Sequence, residues 1–139
     1  MRLIQTSWPV VILRCLPALL CMAVIFELSS RSELPKVSSI SDEAISLGGH
    51  FGAYAILAVC FWWALGMTDL ASDKRVLVAL AGAVLYGLTD EWHQSFVPGR
   101  TPDIRDIFVD GIGAMAGLFL VTLLARRLEA DNQERENYR

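Results

Sequence analysis

Little in this chain belongs to soluble chemistry. It has only three cysteines, Cys15, Cys21 and Cys60. Their number is odd, each sits inside an apolar run, and none has metal-site spacing, so they read as packing residues rather than disulfides or ligands. Charge of neither sign dominates: the formal net charge is −3, and the basic residues are scattered at segment ends. With no basic face and no known binding motif, no nucleic-acid partner is expected. Internal repeats and low-complexity tracts are absent. Ser29, Ser30 and Ser95 lie in no elbow motif, so no serine or cysteine nucleophile with a partner histidine is identified. No cofactor and no metal is assigned from motifs.

What is present is apolar. Of 139 residues, 54% are hydrophobic, and mean hydropathy is positive, above the usual share of a soluble domain. The length allows one domain. A helix needs ~20 residues to cross a hydrocarbon core, and four runs qualify: residues 8–28, 49–67, 76–97 and 107–125. The expected fold is all-α, an integral membrane bundle of four transmembrane helices in a single domain. Arg14 in the first run can snorkel, and Pro17 is tolerable where neighbouring helices repair the freed carbonyl. That run lacks an A-x-A-like site and is long for the core of a signal peptide, so it reads as a retained span. Between the runs lie a serine-rich loop at 29–48 containing Pro35, a charged turn at 68–75, and a Pro-Gly loop at 98–105. Residues 126–139 read as a polar tail, a helix fraying into disorder.

Lysine and arginine counts set the expected orientation. Arg2, Lys74, Arg75, Arg126, Arg127, Arg135 and Arg139 fall on one side, with Arg14 near it, against Arg31, Lys36, Arg100 and Arg105 on the other. Seven against four favours cytoplasmic termini.

Against this background the ionisable groups stand out. Asp90-Glu91-Trp92-His93-Gln94 precedes Pro98-Gly99-Arg100 and then Asp103, Asp106 and Asp110. Charges at membrane depth are costly, and they usually face a protein interior or a wet cavity. At ~1.5 Å per residue, Asp90 lies ~21 Å above Arg75 and Asp110 ~22 Å above Arg126, so the two carboxylates share a level. His50 opens the second run and Glu27 ends the first, near the same outer level. Spacing of three and four residues makes stripes of Tyr86, Asp90 and His93, of His50 and Tyr54, and of Asp103, Asp106, Asp110, Gly113 and Gly117. Gly113-Ala114-Met115-Ala116-Gly117 is a small-xxx-small pattern that allows close helix approach and turns Asp110 inward. Bland readings accompany each feature: His50 and Tyr54 as interfacial anchors, Asp103 as a helix cap, Arg105 on headgroup phosphate, and the whole layer as a structural polar network.

At these residues the chain resembles the VanZ-like family of small bacterial membrane proteins. The likeness rests on Ser29-Ser30, on His50-Phe51-Gly52-Ala53-Tyr54, on the block from Tyr86 through Asp90-Glu91 and Gln94 to Pro98-Gly99-Arg100, and on Asp106, Asp110, Gly113 and Gly117. It covers most of residues 20–120. The resemblance implies a multi-span plasma-membrane protein whose namesake is associated with low-level resistance to teicoplanin, a glycopeptide acting on the outer face. Two readings stay open. In the preferred one, Glu27, His50, Tyr54, Asp90, Glu91, Gln94, Arg100, Asp106 and Asp110 form an outward cavity that binds a membrane lipid, a cell-wall precursor or an amphiphilic antibiotic. Arg100 then supplies a bidentate contact to phosphate or carboxylate. In the alternative, the protein is a membrane-embedded hydrolase or transferase with a divalent metal among Glu27, His50, Asp90, Glu91 and Asp110. The oligomeric state is not set by the sequence.

Overall fold

In the computed structural model, which describes residues 8–32 and 41–138, the chain runs through four helices and, among the described residues, no strand: α1 Trp8–Ser29, α2 Asp42–Leu65, α3 Ser72–Gln94 and α4 Ile104–Asn137. Pro35, Lys36, Arg2 and Arg139 lie outside the described residues. Helix starts are written into the polar loops. Ser41 caps α2, its Oγ accepting the Ala44 N–H at 3.2 Å. Asp103 caps α4, accepting the Arg105 N–H at 2.9 Å. Such caps satisfy backbone donors that have no partner inside the helix, typically worth ~1 kcal/mol each.

Two boundaries differ most from the sequence reading. The helix α2 starts at Asp42 rather than near Gly49, because Ser41 nucleates it inside the serine-rich loop. At the other end of the chain, α4 continues to Asn137 instead of fraying after Ala125. Arg135 meets Asp131 one turn away at 3.2 Å, an i,i+4 pair of the kind worth ~0.2–0.5 kcal/mol in a helix.

Three helices, α1, α2 and α4, are long and apolar enough to cross a membrane. The third, α3, is long enough at 23 residues, but Asp90, Glu91 and His93 dilute its last turns. Large apolar side chains point outward all round, among them Leu19, Leu77, Leu85, Phe108 and Phe119. The interior is built of smaller ones: Ala18, Ala58, Ala79, Ala83 and Ala114 join Ile25, Tyr54, Leu57 and Leu118. A bundle with bulk outside and small residues inside suits lipid, where helices associate by close packing rather than by expelling water.

The helices alternate in direction, and α2 touches all three others. It lies nearest to α4. A Cβ on Gly113 would collide with the Phe51 backbone, and one on Gly117 with the Ala55 backbone. The two glycines, one turn apart, therefore set the distance between α2 and α4. That close approach brings His50 of α2 against Asp106 and Asp110 of α4. All three cysteines are free.

Candidate functional site

The polar groups gather where α1 and α3 end and α2 and α4 begin. On α3 the buried face runs Ala79, Ala83, Gly87, then Asp90, Glu91 and Gln94. Small residues at four-residue intervals let the helix approach its neighbours, and the same stripe then delivers two acids and an amide to the interior. Tyr86 and His93 lie at the edge of this face, half-buried, rather than on it.

His50 is the hub. Its Nδ1 is 2.9 Å from Asp110 Oδ1, and its Nε2 is 3.7 Å from Asp106 Oδ2. The second distance is too long for a hydrogen bond. Asp110 is 1% exposed, and its other oxygen, Oδ2, has no hydrogen-bond partner. Gly87 makes room for that carboxylate, since a Cβ there would stand 2.8 Å from Asp110 Oδ2 and 3.4 Å from the Tyr54 ring. Asp90 Oδ2 accepts from Gln94 Nε2 at 3.1 Å. Glu91 Oε2 accepts the Asp103 N–H at 2.9 Å, tying α3 to the cap of α4. Its Oε1 is buried without a partner.

Tyr54 is fully buried, with its ring parallel to that of His50 at 6.2 Å between centroids. Its hydroxyl is unpartnered, as is Ser29 Oγ. Both residues line a cavity of about 200 Å³ between α1, α2 and α3. His50, Asp90, Gln94 and Arg100 add polar groups to its wall, and Ile25, Leu28, Ile45 and Ala53 add apolar ones. Arg100 reaches over this opening from the Pro98-Gly99 turn, where Gly99 takes φ +82°, a left-handed conformation that favours glycine. Its Nε donates to Arg31 O at 2.9 Å and its Nη2 to Leu28 O at 3.1 Å. The guanidinium thus ties down Leu28 O at the end of α1 and Arg31 O just beyond it.

Of the nine residues singled out by sequence, the structure brings together His50, Tyr54, Asp90, Glu91, Gln94, Asp106 and Asp110, with Arg100 at the rim. It does not bring in Glu27, whose side chain is 68% exposed and faces Arg31 at 3.4 Å. One residue further round α1 than the inward face, it points away from the bundle. His93 is drawn aside too: it stacks on Phe26 at 4.4 Å and meets Ser30 Oγ at 3.0 Å, so its neighbours are on α1. Missed by sequence were Gly87 and Ser29. Gly87 was signalled by its place in the Ala79-Ala83-Gly87 series leading to Glu91; nothing in the sequence separated Ser29 from Ser30.

Three of these groups stand close enough to share an ion. His50, Glu91 and Asp106 each present one ligand atom, all within 4.8 Å of one another. Among the described residues, no lysine or arginine forms an ion pair with Asp90, Glu91, Asp106 or Asp110. Outside the bundle, Arg105 does pair, with Asp103 at 2.7 Å and Glu43 at 3.0 Å. The Arg105 guanidinium beside Asp103 holds that carboxyl below its ordinary range.

Residues 15–125 match the family model described as VanZ/LLP1. The chain belongs to this family. The match runs from within α1 through α2 and α3 into α4, and covers every residue of the buried cluster. No curated protein and no solved structure matches the chain. Membership of the VanZ/LLP1 family and three apolar helices together make this a membrane protein.

Proposed function

We propose that this VanZ-like protein is a multi-pass plasma-membrane protein that binds the head of an anionic amphiphile in the cavity beneath Arg100. The carrying observation is that Ser29 and Tyr54, whose buried hydroxyls have no hydrogen-bond partner, both line this cavity. Buried polar groups are normally satisfied, so such orphans call for a ligand or ordered water. Arg100 uses two of its five N–H donors on Leu28 O and Arg31 O, leaving others for a phosphate or carboxylate. The apolar wall of Ile25, Leu28, Ile45 and Ala53 suits an adjoining acyl chain.

Size narrows the occupant. At about 200 Å³, the cavity is below the ~300–1,000 Å³ of sites that enclose a drug-sized ligand. It takes a headgroup or a terminal fragment, not an entire glycopeptide. Candidates are a membrane phospholipid, a lipid-linked cell-wall precursor, and the acylated end of a glycopeptide antibiotic. The resistance role of the family's namesake comes to this chain only through the last two. With both termini cytoplasmic, as the basic residues favour, the cavity opens outward, where all three are found.

The test is native mass spectrometry of the detergent-purified protein offered an anionic phospholipid, a polyprenyl-linked precursor and a lipoglycopeptide in turn. Retention of one of them, weakened about tenfold or more in Arg100→Lys, is expected, because lysine keeps the charge and loses the planar fork. No retention of any, or equal retention by Arg100→Lys, would overturn the reading. Orientation is read separately. In a cysteine-free background, Thr101→Cys should label from outside and Gln133→Cys only after permeabilisation; the reverse pattern defeats the outward cavity.

A further inference from the structure

Four carboxylates, Asp90, Glu91, Asp106 and Asp110, converge on one imidazole in a membrane-embedded interior. Gln94 serves Asp90 and the Asp103 N–H serves one oxygen of Glu91. These contacts bring in no cation, and uncompensated charge at this depth is costly. An anionic head bound above would meet the same field. The cluster therefore calls for a positive partner.

The geometry points to a divalent transition-metal site formed by His50 Nε2, Glu91 Oε1 and a carboxylate oxygen of Asp106, with Asp110 as the positioning residue behind the histidine. Three observations carry it. First, His50, Glu91 and Asp106, on three different helices, each already place one potential ligand atom within 4.8 Å of the others. Second, Glu91 is 6% exposed and its Oε1 is buried with no partner, while Oε2 is held by a backbone N–H. A hydrogen bond on one oxygen fixes the carboxylate, and the other is left to bind. Third, Asp110 accepts from His50 Nδ1 at 2.9 Å, which leaves the Nε2 lone pair of the neutral ring facing Asp106 at 3.7 Å. Carboxylate, histidine and metal in that order is how proteins orient an imidazole ligand and fix its tautomer.

The donor set selects the ion. One imidazole with two carboxylates suits Zn²⁺ or Mn²⁺ better than Mg²⁺ or Ca²⁺, which favour all-oxygen shells. The two carboxylates balance the ion's charge. With bonds of ~2.0–2.2 Å, tetrahedral ligand atoms lie ~3.3 Å apart, so binding contracts the cluster slightly. Three protein ligands leave at least one position for water or for an oxygen of an anionic head. The inference rests on the cluster alone and stands whether or not the neighbouring cavity takes an amphiphile.

Metal uptake by the full-length protein in detergent, without added amphiphile, tests it. The protein is stripped with chelator, dialysed against Zn²⁺ or Mn²⁺, and its metal content measured; Co²⁺ loading adds an absorption spectrum that reports the ligand field. About one equivalent is expected. Glu91→Gln and Asp106→Asn should each weaken uptake at least tenfold while eluting as monodisperse protein, Asp110→Asn should weaken it ~10–100-fold, and Asp131→Asn on the exposed end of α4 should change nothing. Should His50→Gln fail to fold, the half-buried Asp106 still decides the matter. Substoichiometric uptake by the wild type, or unchanged uptake in both Glu91→Gln and Asp106→Asn, overturns the site and leaves a protonated polar network.

Discussion

The two ends of the bundle handle their charges in opposite ways. At the end where α1 and α3 begin, two half-buried arginines lie against aromatic rings. Arg14 lies over the Trp63 ring at 4.7 Å and donates to Trp63 O at 3.2 Å. Arg75 stacks on Trp62 at 3.7 Å. Long stems cover apolar surface while the cations reach aromatic faces and the last carbonyls of α2, as expected at a membrane boundary. At the other end the charges are short carboxylates turned into the core, and a single histidine answers them. Aspartate and glutamate cannot snorkel far, so acids at this depth must be answered inside the protein. One end anchors; the other holds groups that packing alone does not require.

The difference should be largest when one member of a buried pair is removed. Asp110→Ala leaves His50 without its partner and opens a void beside Gly87. We expect unfolding in detergent to show a loss of about 1–3 kcal/mol, against a smaller loss for Arg14→Ala, which gives up one ring contact and one hydrogen bond at the other end. The double change His50→Leu with Asp110→Leu should recover much of the loss, because replacing a whole buried pair by apolar groups is often neutral. If Asp110→Ala and Arg14→Ala cost the same, the two ends do not differ in kind.

A second contrast uses glycine. At Gly87 an added Cβ meets the buried carboxylate of Asp110 at 2.8 Å, whereas at Gly66 it meets the Arg14 guanidinium at 2.6 Å. The first neighbour is fixed by His50; the second is the far end of a flexible chain. Gly87→Ala is expected to destabilise by about 1–3 kcal/mol, and Gly66→Ala to be nearly neutral, both read by thermal unfolding. A costly Gly66→Ala would mean that Arg14 is held as firmly as Asp110.

Arg100 and Arg105 sharpen the comparison within the acidic end itself. Arg100 donates to Leu28 O at the end of α1 and to Arg31 O just beyond it, while exposed Arg105 pairs with Asp103 and Glu43. Arg100→Ala should lower the melting point more than Arg105→Ala does, since exposed ion pairs contribute little. Equal melting points would make Arg100 a loop charge with no structural role.

These contrasts also mark what sequence makes legible. Apolar run length gave the four helices, and the Gly113/Gly117 spacing pointed to a close helix contact without naming α2 as the partner, because both depend on residues near in sequence. Depth counting placed Asp90 and Asp110 at one level. It could not say which way Glu27 faces, since a rotation of one residue about α1 moves a side chain between core and surface. Nor could it pair Arg100 with the Leu28 and Arg31 carbonyls: a backbone acceptor leaves no trace in residue type. The start of α2 at Asp42 was hidden by a polar loop whose serine acts as a cap.

The smallest expected effect lies just outside the buried cluster, at Asp103, and it separates cap geometry from charge. Its carboxylate accepts the Arg105 N–H and side chain, and its carboxyl is held below the ordinary range chiefly by the hydrogen bond from that guanidinium. A folded-state value below the unfolded one contributes stability that is fully present above the unfolded value, near pH 4. That contribution is lost as pH falls through the lower folded value. Asp103→Asn keeps a good cap acceptor and removes the charge, and the Asp103 N–H to Glu91 is a backbone bond that the change leaves in place. The melting point of the wild type should therefore exceed that of Asp103→Asn slightly at neutral pH, and the gap should close as pH drops below about 4. High salt should narrow the neutral-pH gap too, because the pair with Arg105 is exposed. A gap that persists unchanged into acid would show that the cap works through geometry alone, and that charge counts in this protein only where it is buried.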